Sequence, residues 1–122
     1  MDAKEKLVVR YRLALTIQKI ISVNQTKAED GLATSLRKLA ASSDTEYAII
    51  QKITASKKDP QFSTLAAIVD GLGISFSEFF QIFESVTKDD IDDYKGALKE
   101  KSKRTQSLSV KLVKKTEIKK RK

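Results

Sequence analysis

Residues 36–80 read LRKLAASSDTEYAIIQKITASKKDPQFSTLAAIVDGLGISFSEFF, and this stretch decides the fold. Leu36, Leu39 and Ala40 share one face of a short helix that runs to about Ser42. Ser35 stands where a side-chain oxygen caps the first free amides. Ser42-Ser43-Asp44-Thr45 is a run of turn formers. A second short helix follows from about Glu46 to Ala55, with Ile50 and Ile53 marking its inner face. Ser56-Lys57-Lys58-Asp59-Pro60 ends it, because Pro60 has no amide to donate and restricts Asp59 before it. Residues 62–72 form the next helix, with Phe62, Leu65, Ile68, Val69 and Leu72 on one face and Gly73 as the C-terminal stop. Ser75-Phe76-Ser77-Glu78 has the spacing of a reciprocal capping box. Phe76, Phe79, Phe80 and Phe83 then repeat at helical spacing. Four of the five phenylalanines lie here, which predicts that this helix anchors the core.

Upstream, residues 7–23 read as a helix with Leu13, Ile17, Ile20 and Ile21 on one face. Val8-Val9 would also suit a strand, so its start stays open. Residues 24–34 have no clear period and contain Gly31, which reads as a loop. Downstream, Thr87-Lys88-Asp89-Asp90 resembles a helix start with acids in the first turn. Ile91, Tyr94 and Leu98 then make a narrow apolar stripe to about Lys101. Leu108, Val110 and Leu112 alternate in a faint strand pattern within a basic tail.

A chain of 122 residues fits one compact domain with extensions. Hydrophobic residues make up 40% and aromatics 7%, with no Trp, so the core must be mostly aliphatic. Without Cys there are no disulfides or thiolate metal sites, which fits a reducing cytoplasm. Without His the commonest general base and transition-metal ligand are missing. Carboxylates, Lys and Ser remain, but they form no catalytic constellation; the expectation is a protein that is not an enzyme and takes no cofactor. Asp89, Asp90, Asp92 and Asp93 lack the loop glycine and distal Glu of an EF-hand, so they read as a solvated acidic helix start rather than a metal site. No apolar run is long enough for a membrane span, and Met1-Asp2-Ala3-Lys4-Glu5-Lys6 lacks a secretory apolar region. The net charge of +8 is uneven. Residues 99–122 hold 11 Lys/Arg against 2 Glu, a net +9, while residues 1–98 hold 13 against 14, a net −1. The tail is therefore either a polyanion-binding arm or a solubilising one.

Two short helices joined by a tight polar turn, followed by two amphipathic helices, make a helix-turn-helix pattern. Specific words strengthen it. Leu39-Ala40, Ile50-Gln51-Lys52-Ile53, Lys57-Lys58-Asp59-Pro60 and Thr64-Leu65 through Leu72-Gly73-Ile74-Ser75 to Phe79-Phe80 resemble the phage-repressor-like (Xre/Cro) helix-turn-helix family, in a Bacteroidetes-type variant. Four departures stand out, one of them that residues 24–34 outrun the usual turn between the first two helices. Relatives carry a Glu and a Gly at the end of the recognition helix, where Thr54 and Ser56 stand here. The Arg that pairs with that Glu falls best on Ile21. The Gln that often opens the second helix is Leu36. Loss of both charges together is what removal of a buried ion pair looks like.

The resemblance implies an all-α, five-helix repressor-like domain at residues 13–86. It would be preceded by an N-terminal extension (1–12) and followed by a helical extension (87–101) and a basic tail (102–122). It implies sequence-specific binding of double-stranded DNA and transcriptional regulation, with a possible homodimer for which 87–101 is the candidate element. Tyr47, Ala48, Ile49, Gln51 and Lys52 should lie on the exposed face of the recognition helix. Gln51 suits adenine, Lys52 guanine or phosphate, and Ala48 and Ile49 thymine methyls. Ile49 has a second reading, packing against an extension of the chain. Arg37, Lys38, Lys57 and Lys58 surround this face as phosphate contacts. The alternative is an antitoxin-like or scaffold module that uses the same fold to grip another protein. No sequence feature names a small-molecule effector.

Overall fold

The computed structural model describes residues 1–27 and 29–101. They form α1 (Ala3–Thr26), α2 (Leu36–Ser42), α3 (Tyr47–Thr54), α4 (Phe62–Leu72), α5 (Phe76–Ser85) and a sixth helix, α6 (88–101). No strand occurs among the described residues, so the described chain is all-α. The Leu108-Val110-Leu112 alternation and the basic tail lie outside the described residues.

α1 begins four residues before the expected Leu7, and the reason is local. The Asp2 carboxylate accepts the Glu5 amide at 2.9 Å, and the Glu5 carboxylate reaches back to the Asp2 amide at 3.4 Å. This capping box starts the helix early and carries Val8 and Val9 into it, so the strand option lapses. Residues 3–12 are thus continuous with the helix that supplies the core. α1 also runs on through Asn24, Gln25 and Thr26, which read as loop in the sequence. Asn24 is buried, and its amide donates to the carbonyls of Ala33 at 3.0 Å and Leu72 at 3.3 Å. A polar residue with both bonds made can sit in a core, where it ties the 27–35 loop and the end of α4 to α1.

The core is aliphatic, as the composition predicts. It joins Leu13, Ile17, Ile20 and Ile21 of α1 to Leu39 of α2, Ile50 and Ile53 of α3, and Ile68, Val69 and Leu72 of α4. α2 packs on α3 and α4, and α1 packs on α3 and α5. The α2–α4 crossing depends on Gly71: a Cβ there would stand 2.8 Å from Ser42 Oγ and 3.0 Å from the Ser43 amide nitrogen. The Ser42 hydroxyl donates to the Gly71 carbonyl at 3.0 Å across the same crossing.

The phenylalanine-rich helix is not the anchor that its spacing predicts. Phe79 alone of the five is buried; Phe83 is half-buried against the core, while Phe62, Phe76 and Phe80 are 73%, 37% and 38% exposed. α5 turns the stripe Phe79, Ile82, Phe83 toward the bundle, and Phe80 stands about 100° around the helix from Phe79. Phe62 is the first residue of α4, ahead of the turns that Ile68, Val69 and Leu72 bury.

α6 is docked, not free. Thr87 and Asp90 cap it reciprocally: the Thr87 amide donates to Asp90 Oδ2 at 3.0 Å, and the Asp90 amide to Thr87 Oγ1 at 3.1 Å. Lys19 reaches the same carboxylate at 3.2 Å. The Thr87 amide first, and Lys19 after it, hold the Asp90 carboxyl below its ordinary value. Ile91 and Tyr94 are buried against the chain itself. Arg12 closes α5, its Nη1 donating to the carbonyls of Phe83 at 3.1 Å and Val86 at 2.6 Å, where a cation suits the helix C-terminus. Among the described residues no single helix is long and apolar enough to cross a membrane; α4 and α5, the most apolar pair, bend by 95° between them.

Candidate functional site

α3 has two faces. Ile50, Ile53 and Thr54 point into the bundle and are buried. Ala48, Gln51 and Lys52 are exposed, and so are Lys57 and Lys58 just beyond the helix. Arg37 and Lys38, in the first turn of α2, are exposed as well. Two residues expected on the open face are not fully on it. Ile49 is half-buried and packs against the core of the bundle itself, which explains an isoleucine at that position without any ligand. Tyr47 is also half-buried against the core, and the Arg37 guanidinium lies 4.4 Å over its ring. That stack joins the start of α2 to the start of α3 and restrains a cation that would otherwise swing freely.

Both helices end in the same way. At the end of α2 the Asp44 amide donates to the Ala41 carbonyl at 3.3 Å and the Thr45 amide to Ala40 at 3.0 Å. At the end of α3 the Ser56 amide donates to Ile53 at 3.1 Å and the Lys57 amide to Lys52 at 2.9 Å. These are paired Schellman closures, and each needs a left-handed residue, a place that usually falls to glycine. Asp44 takes it at φ 51° and Ser56 at φ 62°. The α2–α3 turn and the Lys57-Lys58 loop are therefore set by backbone hydrogen bonds.

Ser56 is compensated for its strained backbone. Tyr94 of α6 donates its one hydroxyl proton to the Thr54 carbonyl at 2.7 Å. Ser56 then donates to the Tyr94 oxygen at 2.9 Å, the Arg10 carbonyl at 3.4 Å being the poorer acceptor. Gln18 Nε2 donates to the same Thr54 carbonyl at 3.3 Å. Burial raises the Tyr94 phenol above its ordinary value, only partly offset by Ser56, so the group stays a donor at any physiological pH. Thr54 and Ser56 are the positions where the resemblance expects Glu and Gly. Ile21, the position expected for the partnering Arg, lies in the core; Gln18, three residues earlier, is the α1 residue that reaches Thr54.

Sequence reasoning missed Arg10, Gln18 and Tyr94 as parts of this region. Arg10 Nε is buried without a hydrogen bond, and Asp59 Oδ1 lies 3.8 Å away, a contact that draws the Lys57–Pro60 loop toward α1. Nothing in the local pattern flagged Arg10 or Gln18. Tyr94 was visible on the apolar stripe of α6, but not its target. Comparison with protein-family models, with curated proteins and with solved structures gives no match.

Proposed function

We propose that the chain binds double-stranded DNA through α2 and α3, as a helix-turn-helix transcriptional regulator of the phage-repressor-like type. The observation that carries this reading is the two-sided α3. Its inner face is locked to the core and its C-terminal end is closed by backbone bonds, while Ala48, Gln51 and Lys52 stand exposed, with exposed cations before them on α2 and after them on the 57–58 loop. A rigid helix with a short polar outer face, flanked by cations, is what a major groove admits. Gln51 then reads a base, adenine being its usual bidentate partner, and Lys52 meets guanine or phosphate. Arg37, Lys38, Lys57 and Lys58 meet phosphates, with Tyr47 steadying Arg37. Ile49 drops out of the base-contacting set.

Selection of bound sequences from a random DNA pool tests the reading. A single enriched motif is expected. Gln51→Ala should then weaken the cognate site by roughly 1–3 kcal/mol and relax one base position. Lys57→Ala and Lys58→Ala should weaken all DNA alike and each reduce the salt slope by about one. A pool that yields no motif, with all variants binding alike, sinks it. A second reading, a module that grips protein, is favoured by one observation: the exposed rings of Phe62, Phe76 and Phe80.

A further inference from the structure

Among the described residues, Arg10 Nε is the one buried side-chain polar atom without a hydrogen-bond partner. Such an atom calls for a reason, because a buried donor with no acceptor costs free energy. Its ion-pair partner, Asp59 Oδ1, stands 3.8 Å away, which is too far for a hydrogen bond. The Asp59 side chain is 69% exposed, and a loose pair with one partner in water contributes little. The Arg10 side chain is not closed in: 28% of its surface remains open. The guanidinium is thus held in position with its donors unused.

Its place in the fold suggests the acceptor. The Arg10 carbonyl lies 3.4 Å from the Ser56 hydroxyl, just past the end of α3. Tyr11, the next residue, meets Tyr94 of α6 edge-on at 5.6 Å, and Lys95 lies 5.4 Å over the Tyr11 ring. α1, the end of α3 and α6 therefore converge where the 57–60 loop leaves α3. Lys57 and Lys58 are exposed on that loop. Lys6, four residues before Arg10 and so on the same side of α1, is exposed as well. A planar guanidinium in such company suits an oxyanion with two free oxygens, as a phosphodiester has. Arg10 lies ahead of residues 13–86, so the family resemblance assigns it no role.

We propose that Arg10 is a further DNA-backbone contact: on binding, its guanidinium leaves Asp59 and takes the two free oxygens of a phosphate on the strand that Lys57 and Lys58 meet. This rests on the DNA-binding reading, though on none of its base contacts. A duplex whose major groove holds α3 carries phosphates along the flanks of that helix, and the 57–60 loop with Arg10 beside it is one such flank. Asp59 holds Arg10 ready in the free protein and competes with the phosphate that replaces it.

Titration of the full chain with a random-sequence duplex at several salt concentrations tests it. Arg10→Ala should weaken binding about tenfold near about 0.1 M salt and reduce the salt slope by about one, as loss of one phosphate contact does. Its melting temperature should hold, because the guanidinium makes no hydrogen bond among the described residues. Arg10→Lys keeps the charge, so it should keep the slope and lose less affinity. Asp59→Asn should bind as tightly as the wild type or more tightly. If Arg10 only tied the loop to α1, removal of either partner would free the loop. Asp59→Asn would then weaken binding as Arg10→Ala does, and that result overturns the proposal. An Arg10→Ala slope equal to that of the wild type overturns it too, and if Lys57→Ala still lowers the slope the DNA-binding reading stands without it. So does an Arg10→Lys slope as low as that of Arg10→Ala. A wild-type chain that binds no duplex brings down both.

Discussion

α3 and α5 are short helices of one bundle, each with apolar residues at helical spacing, yet they treat those residues in opposite ways. α3 lies against both α1 and α2, with α6 at its end; its isoleucines are covered and its open face is polar. α5 touches α1 and α4, a narrower contact, and leaves Phe76 and Phe80 partly in water. Helical periodicity reports that a face is apolar. Whether that face is inside depends on how many neighbours cover it, which is a property of the whole bundle. The same fold thus carries a basic polar surface on α2 and α3 and an aromatic one on α4 and α5.

The sharpest test of this contrast lies within the phenylalanines. Phe79→Ala should cost about 3–5 kcal/mol, since it empties a fully buried site, whereas Phe62→Ala should stay within about 0.5 kcal/mol. Denaturant unfolding measures both, and equal effects would erase the distinction between the two rings. Next comes the clamp that sets α3 apart from α5. Tyr94→Phe removes the hydroxyl that serves Thr54 and Ser56, at about 1–3 kcal/mol. If α6 positions α3 in the proposed manner, DNA affinity should fall along with stability; a stability loss alone would confine Tyr94 to the fold.

A pair of helical glycines gives a smaller effect with opposite signs. Gly71→Ala should destabilise by about 1–3 kcal/mol, because the added Cβ runs into Ser42 and the Ser43 backbone. Gly96→Ala meets nothing within 4 Å and should stabilise α6 by about 0.5–1 kcal/mol. Two changes of the same sign would mean that the α2–α4 crossing is looser than its distances suggest. The smallest effect concerns pH. The folded-state value of Asp90 is lowered, so its contribution is whole above the ordinary carboxylate value of 3.8 and fades as pH falls through the lowered one. Melting curves of the wild type and Asp90→Asn should converge across that acid window and stay apart at neutral pH. Curves that stay parallel would remove the cap from the account.

Part of the candidate site was legible and part was not. The exposure of Ala48, Gln51 and Lys52 follows from the inward placement of Ile50 and Ile53, because residues one or two positions along a helix face elsewhere. The Arg37–Tyr47 stack was not legible: its partners belong to different helices and meet because of how α2 crosses α3. The same holds for Gln18 at Thr54 and for the burial of Ile49.

By itself the sequence determined what is local. Ser35, Ser75 and Thr87 accept amides three residues ahead, and these bonds open α2, α5 and α6 whatever surrounds them. The turn residues after α2, Gly73 after α4, and the aliphatic character of the core were equally readable, because each depends on a handful of neighbouring residues or on composition. Even there the Ser75 box is only half made: Glu78 meets the Ser75 hydroxyl at 3.4 Å instead of its amide. The tertiary structure decided which apolar residues are inside. It put Asn24 in the core because two distant carbonyls happen to meet its amide, left Phe62, Phe76 and Phe80 outside because no further element among the described residues covers them, and sent Tyr94 to the end of α3. Such outcomes are sums over contacts between residues far apart in the chain, and no window of sequence short enough to show a helix is long enough to contain them.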